Sequence, residues 1–145
     1  MNAWPDNLHP MDPALWEGNY PFQTFLGFRQ TGWGHGYARF ELDYRDDFAN
    51  RHGNTHGSIY AALLDTSMGY SGAYTGSARR RAYTMTLSMT LNFMAPAVGP
   101  ALMAEGRRSG GGRRIFFTEG RMWDGQGTLV ATATGSFKIR EIVED

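Results

Sequence analysis

Residues 50–69 read Asn50-Arg51-His52-Gly53-Asn54-Thr55-His56-Gly57-Ser58-Ile59-Tyr60-Ala61-Ala62-Leu63-Leu64-Asp65-Thr66-Ser67-Met68-Gly69. The stretch opens as a polar, glycine-bearing loop and becomes an apolar, helix-like run. Apolar and small residues lie on nearly every side of the helix predicted over residues 57–74. Such a helix must be buried by more than one neighbour. One carboxylate, Asp65, sits in its middle. Ionising a carboxylate on a buried helix is costly unless something pairs with it. The loop ahead supplies an amide (Asn50), an imidazole (His56) and a bare backbone (Gly57) at the predicted helix start.

Strands flank this segment. Residues 83–93 alternate Met85, Leu87, Met89, Leu91 and Phe93 with Thr84, Thr86, Ser88, Thr90 and Asn92. The alternation predicts a strand with one core face and one polar face. Pro96 and Gly99-Pro100 end it. Residues 101–107, 114–123 and 128–140 read as three further strands. Ser109-Gly110-Gly111-Gly112 and Asp124-Gly125-Gln126-Gly127 form the turns between them. Upstream, residues 25–30 and 36–43 read as hairpin arms around Thr31-Gly32-Trp33-Gly34. Asp12 as cap and Pro13 at the first position open a short helical turn. Residues 1–12 read as a loose arm, and Arg79-Arg80-Arg81 as a solvated turn. The order is two strands, one long helix, then four strands. We expect one α+β domain over residues 1–145, with 1–24 as arm and short helix. An antiparallel sheet of about six strands would wrap one central helix.

Composition narrows the function classes. Fourteen Lys and Arg balance fourteen Asp and Glu, so the net charge is zero. No basic excess exists to neutralise phosphates, which argues against a nucleic-acid protein working by bulk charge. The chain has no cysteine, which excludes disulfides, thiolate catalysis and cysteine-ligated zinc. No run of about 18 apolar residues is present, so no membrane span is expected. The polar N-terminus, with Pro5, Pro10 and Pro13, lacks the order of a signal peptide, and a cytoplasmic location is expected. His52 and His56 have the spacing of a helical metal pair, but Gly53-Asn54 argues against helix there and no third ligand lies close in sequence. Neither a metal nor a nucleotide cofactor is expected, and no Walker or dinucleotide fingerprint occurs.

The order of elements, with these residues, resembles the hotdog-fold acyl-CoA thioesterases of the phenylacetic-acid-degradation type, over most of the chain. That family shows an Asn, a Gly, a His-Gly-Gly triplet, and an Asp eight residues after the triplet's first Gly. Here these are Asn50, Gly53, His56-Gly57-Ser58 and Asp65. Ser58 replaces the usual second Gly, which is read either as a change of loop geometry or as an added hydroxyl at the pocket. A Thr ten residues before a strand-ending Pro follows as Thr86 and Pro96. A Gly-Arg turn then follows as Gly112-Arg113-Arg114, and an Asp-Gly turn as Asp124-Gly125 ahead of Ala131-Thr132-Ala133-Thr134.

The resemblance implies thioester hydrolysis with coenzyme A entering only as part of the substrate. That chemistry needs an attacking group, donors for the developing oxyanion, and exclusion of bulk water. Asp65 is the candidate general base or nucleophile. Gly57 would offer its N–H from a helix N-terminus, where free donors and the dipole favour negative charge. Asn50 is read either as a holder of water or carbonyl oxygen, or as an Asx-turn former. His56 orients the loop or donates to substrate. Thr86 positions the water beside Asp65 or is a surface threonine. Arg113, Arg114 and the Gly112 amide suit the phosphates of coenzyme A, though a solvated hairpin tip has the same composition.

Gly57 and Asp65 are eight residues apart, about 12 Å along a helix. They cannot both touch one thioester carbonyl within one chain. If both act in one site, it combines Gly57 of one subunit with Asp65 of another, which implies a homodimer. The resemblance implies the same, often as a dimer of dimers. A non-catalytic acyl-CoA-binding protein of the same fold is the alternative, and a carboxylate at position 65 counts against it. A hydratase of the hotdog group is a third reading, but its pairing of His with an acidic residue is not seen here.

Overall fold

The computed structural model describes residues 4–145. Its six strands form one antiparallel sheet: β1 (Arg29–Gly34), β2 (Tyr37–Asp43), β3 (Arg80–Phe93), β4 (Ala101–Gly111), β5 (Ile115–Trp123) and β6 (Leu129–Glu144). Their spatial order is β1-β2-β4-β5-β6-β3. A short helix, α1 (Pro21–Leu26), precedes β1, and the long helix, α2 (Gly57–Ser71), packs on one face of the curled sheet. This is the expected α+β hotdog arrangement.

α2 starts where the loop supplies a cap. His56 takes extended backbone angles, and its Nδ1 accepts from the Ser58 N–H at 3.0 Å. Leu63, Leu64 and Met68 are fully buried against Phe40, Leu102, Phe116 and Phe137. Each such side chain stabilises the fold by roughly 1.5–3 kcal/mol. The closest approach is at Gly106 of β4, where an added Cβ would strike the Ser67 carbonyl. The helix stops at Ser71 rather than at the expected residue 74. Gly72 follows, and the Phe116 ring occupies the space a side chain there would need.

Three local expectations are overturned. The first hairpin is shifted along the chain. Phe25 and Leu26 lie in α1, opened by Pro21 and closed by Gly27 at φ 87°, while the stretch read as a turn, Thr31 to Gly34, is strand. Gly36, at φ 69°, makes the real turn. Gly32 and Gly34 are in a strand because an arm packs on them, and side chains there would collide with Asn7 and His9.

That arm is the second correction, because residues 4–12 are not loose. Trp4 Nε1 donates to the Asp124 carbonyl at 2.6 Å, Asn7 Nδ2 to the Thr31 carbonyl at 2.9 Å, and the Trp33 N–H to the His9 carbonyl at 2.8 Å. Pro10 bridges to Gly32, so the arm covers the β1 edge. It also covers part of the sheet's outer face. There Arg39 is buried and donates to the Pro5 carbonyl, and the Tyr37 hydroxyl donates to buried Glu105 at 2.7 Å. Apolar periodicity could not show this anchoring, since polar side chains and backbone groups carry it.

The third correction concerns β3. Thr86 pairs with Phe137 and Ser88 with Ser136, which leaves Leu87 as an extra residue in a β-bulge. The bulge swaps the faces. Ahead of it Thr84 and Thr86 face α2, whereas Met85 and Leu87 are exposed at 42% and 48%. Beyond it Met89 and Leu91 pack on the core.

Candidate active site

Asp65 sits in the third turn of α2, half-buried, beside β3. Thr86 Oγ1 donates to Asp65 Oδ1 at 2.6 Å. The bulge brings them together by turning the threonine inward. This length suits a hydroxyl bonded to a charged carboxylate. Asp65 is therefore held by a neutral donor. Tyr20, from the chain segment ahead of α1, lies close by. Burial pushes its phenol above the ordinary value, a hydrogen bond with Thr66 works against that, and the charge of Asp65 adds to the rise.

The loop residues gather at the other end of α2. Gly57 is the first helical residue, so its N–H has no intrahelical acceptor. A Cβ at Gly57 would lie 3.3 Å from the Phe93 ring, so glycine keeps the approach to this N–H open. His56 is spent on the cap through Nδ1, which leaves its Nε2 as the protonated nitrogen. Asn50 Oδ1 accepts from the N–H groups of His52 at 2.9 Å and Asn54 at 3.2 Å. That is the Asx-turn arrangement, and it leaves the carboxamide NH2 as the free donor. Ser58 is exposed beside an open groove of about 450 Å³ lined by Phe22, Phe25, Phe48 and Ile59.

Gly112, Arg113 and Arg114 form the exposed β4–β5 tip. Gly112 is braced by Arg108 Nη2 at 2.8 Å, and the Arg114 carbonyl accepts from the Ile139 N–H at 2.7 Å. The tip leads directly into Phe116, which packs at the C-terminal end of α2, away from Gly57. The expected site residues thus fall into three groups. His56 and Ser58 are joined within the helix cap, and the hydrogen bond between Thr86 and Asp65 joins two different elements.

A second cavity, of about 370 Å³, lies near that pair, against Tyr20 and Thr84. Glu17, Tyr20, Tyr70, Arg81, Tyr83 and Thr84 wall it. Glu17, Thr84 and Arg81 belong to no sequence motif, and Arg80 and Arg81, expected in a solvated turn, instead open β3. The available signal was Thr84, two residues before Thr86 in a strand otherwise rich in methionine and leucine. Among the described residues no group of His, Asp and Glu is arranged to hold a metal.

The sequence profile of the Thioesterase superfamily matches residues 52–131. Several solved structures share the fold. The PaaI protein from the phenylacetic acid degradation operon of E. coli has a TM-score of 0.75 at 19% identity, covering 86% of this chain and 88% of that one. A conserved protein from Pseudomonas aeruginosa has a TM-score of 0.74 at 23% identity, covering 89% and 98%. A phenylacetic acid degradation-related protein from Ralstonia eutropha has a TM-score of 0.71 at 25% identity, covering 85% and 93%. No curated protein matches the chain in sequence.

Proposed function

We propose that this chain, which belongs to the thioesterase superfamily, hydrolyses small aromatic or short- to medium-chain acyl-CoAs at a site shared between two subunits. Membership makes it a thioester hydrolase of the hotdog fold, akin to the phenylacetic-acid-degradation thioesterases. The observation that carries the mechanism is the 2.6 Å hydrogen bond from Thr86 to Asp65.

In this mechanism Thr86 fixes one carboxylate oxygen and leaves the other to take a proton from water. Water attacks the thioester carbonyl carbon. The oxyanion that forms is met by the Gly57 N–H of the partner subunit, at the positive end of a helix. The intermediate collapses, and the C–S bond breaks. Asp65 returns its proton to the thiolate, giving free coenzyme A and the carboxylic acid. Direct attack by Asp65, through an anhydride, uses the same residues. Oxygen-18 entering the Asp65 carboxylate from water in a single turnover would distinguish that route. Asn50 and His56 support the carbonyl end, with Ser58 at the pocket. Gly112, Arg113 and Arg114 would hold the phosphates of coenzyme A.

Two features support the shared site. Gly57 and Asp65 are about 12 Å apart along α2. The sheet also has one covered edge and one open edge. The arm caps β1, while β3 ends the sheet on the other side, with Tyr83, Met85 and Leu87 exposed. An open edge with apolar side chains is a template for another copy. We propose a homodimer across β3, with dimers of dimers as the larger assembly.

The test is thiol release from a panel of acyl-CoAs by the wild type and by Asp65→Asn. With no cysteine in the chain, all dye signal comes from substrate. Loss of the base should lower kcat by about 10²- to 10⁴-fold with the dimer intact. Tight acyl-CoA binding without release from any substrate would overturn this reading and favour a binding protein.

A further inference from the structure

The cavity next to Asp65 has a chemistry that pure aliphatic chains do not match. Tyr70 lies five residues beyond Asp65 on α2, about 7.5 Å along the axis. Thr84, which shares the helix-facing side of β3 with Thr86, has its hydroxyl 3.5 Å from the Gly69 carbonyl. Tyr20 walls the cavity and its phenol feels the Asp65 charge, so the cavity borders the carboxylate. Its far wall is polar. Arg81 Nε is screened from solvent and has no hydrogen-bond partner, while the guanidinium as a whole interacts with the neighbouring Tyr83. Glu17, from the segment ahead of α1, lines the same space. Burial pushes the Glu17 carboxyl up, and the Arg81 charge works against that rise.

We propose that this cavity, walled by Glu17, Tyr20, Tyr70, Arg81, Tyr83 and Thr84, holds the acyl part of the substrate and selects acyl groups with a neutral hydrogen-bonding group, a hydroxyl or carbonyl, at the far end. The assignment rests on the reading of Asp65 and Thr86 as the hydrolytic pair. A neutral acceptor satisfies the Arg81 N–H. An anionic end would face Glu17, and a cationic end would face Arg81. An alkyl end leaves the buried N–H unpaired, which is the circumstance in which a polar site discriminates most strongly.

Binding and turnover separate the two readings. Calorimetry would compare non-hydrolysable thioether analogues of hexanoyl-CoA and ω-hydroxyhexanoyl-CoA. The wild-type protein should bind the hydroxylated analogue about tenfold or more tightly than the alkyl one. Arg81→Met should erase that preference. Glu17→Gln, an independent variant on another segment, should admit the ω-carboxyhexanoyl analogue several-fold better than the wild type does. Equal wild-type binding of the first two analogues, a preference that survives Arg81→Met, or no gain in Glu17→Gln would each overturn the assignment. Hydrolysis of the matching thioesters then reads the pair. Preferential binding without turnover sinks the role of Asp65 and leaves the pocket standing. Equal binding with turnover that Asp65→Asn abolishes sinks the pocket alone.

Discussion

Thr86→Val tests whether the short hydrogen bond to Asp65 matters for chemistry. Valine keeps the shape and the strand preference of threonine but removes the donor. A hydrogen bond to a charged group is worth about 1.5–3 kcal/mol. If Asp65 must be held in one orientation while it takes the water's proton, that energy appears in the barrier. The loss in kcat/KM is then roughly 10- to 150-fold. Thr86 is exposed on an edge strand in the single chain, which places an unassembled protein at the low end and a site closed by a partner at the high end. Stability should change by no more than about 0.5 kcal/mol, as for a surface substitution. The loss should fall on kcat, with KM nearly unchanged, because the hydroxyl touches the base and not the bound acyl group. Thr86→Ser returns the donor and should recover most of the activity. Steady-state thiol release, with thermal melting as the control on folding, reads all three proteins. Wild-type kcat/KM in the valine variant would refute the reasoning, as would a serine variant that falls as far as valine.

Three further outcomes follow from the geometry. Mixing unfolded Gly57→Trp and Asp65→Asn chains and refolding them together should restore about a quarter of wild-type activity from two inactive parents, because half the dimers then contain one intact site of two. No recovery despite confirmed heterodimers would place Gly57 and Asp65 in the same subunit's site. Gly106→Ala should destabilise by about 3 kcal/mol or more, since the new methyl meets the Ser67 backbone and not a yielding side chain. For a chain of this size that is a fall in Tm of roughly 6–12 °C. Glu17 predicts a pH effect of definite sign. Burial raises its carboxyl above the ordinary value, so the native chain keeps a proton that the unfolded chain sheds first. This contribution is full below the unfolded value, near pH 4.3, and is lost as pH rises through the folded value. Glu17→Gln should therefore gain in Tm relative to the wild type as pH rises from about 4 to 7. A constant difference across that range would remove Glu17 from the buried wall.

The parts of the site that lie on one element were legible in the sequence. His56, Gly57 and Asp65 share α2 and its cap, and the passage from a polar, glycine-bearing loop into an apolar run is enough to place all three, although the capping bond of His56 shows only in the structure. The element order followed for the same reason, because alternation and turn residues are local. What periodicity could not supply was the face of Thr86. Strict alternation puts Met85, Leu87 and Met89 on one side and Thr86 on the other. A single bulge at Leu87 breaks that phase, and nothing within residues 83–93 announces it. The cause lies across the sheet. Phe137 faces the helix opposite Thr86, and its ring reaches Gly69 of α2, where a Cβ would come within 3.3 Å. The arm was misread for a related reason. Its anchoring comes from backbone carbonyls, an indole N–H and the glycines of β1, and each of these is meaningful only beside a partner distant in sequence.

The two hidden features bear on the same question of assembly. By capping β1 the arm leaves β3 as the open edge. By adding a residue to β3 the bulge turns Thr86 toward Asp65 and turns Met85 and Leu87 out to solvent on that strand. One irregularity thus turns Thr86 to Asp65 of α2 from the strand where a second copy can pair. The separation of Gly57 from Asp65 along α2 requires such a copy if both groups are to reach one carbonyl. In the proposed dimer, folding the arm and completing the active site are coupled through the choice of edge. Deleting residues 1–12 would uncover β1 and should produce larger, less active assemblies, measurable by light scattering alongside thiol release.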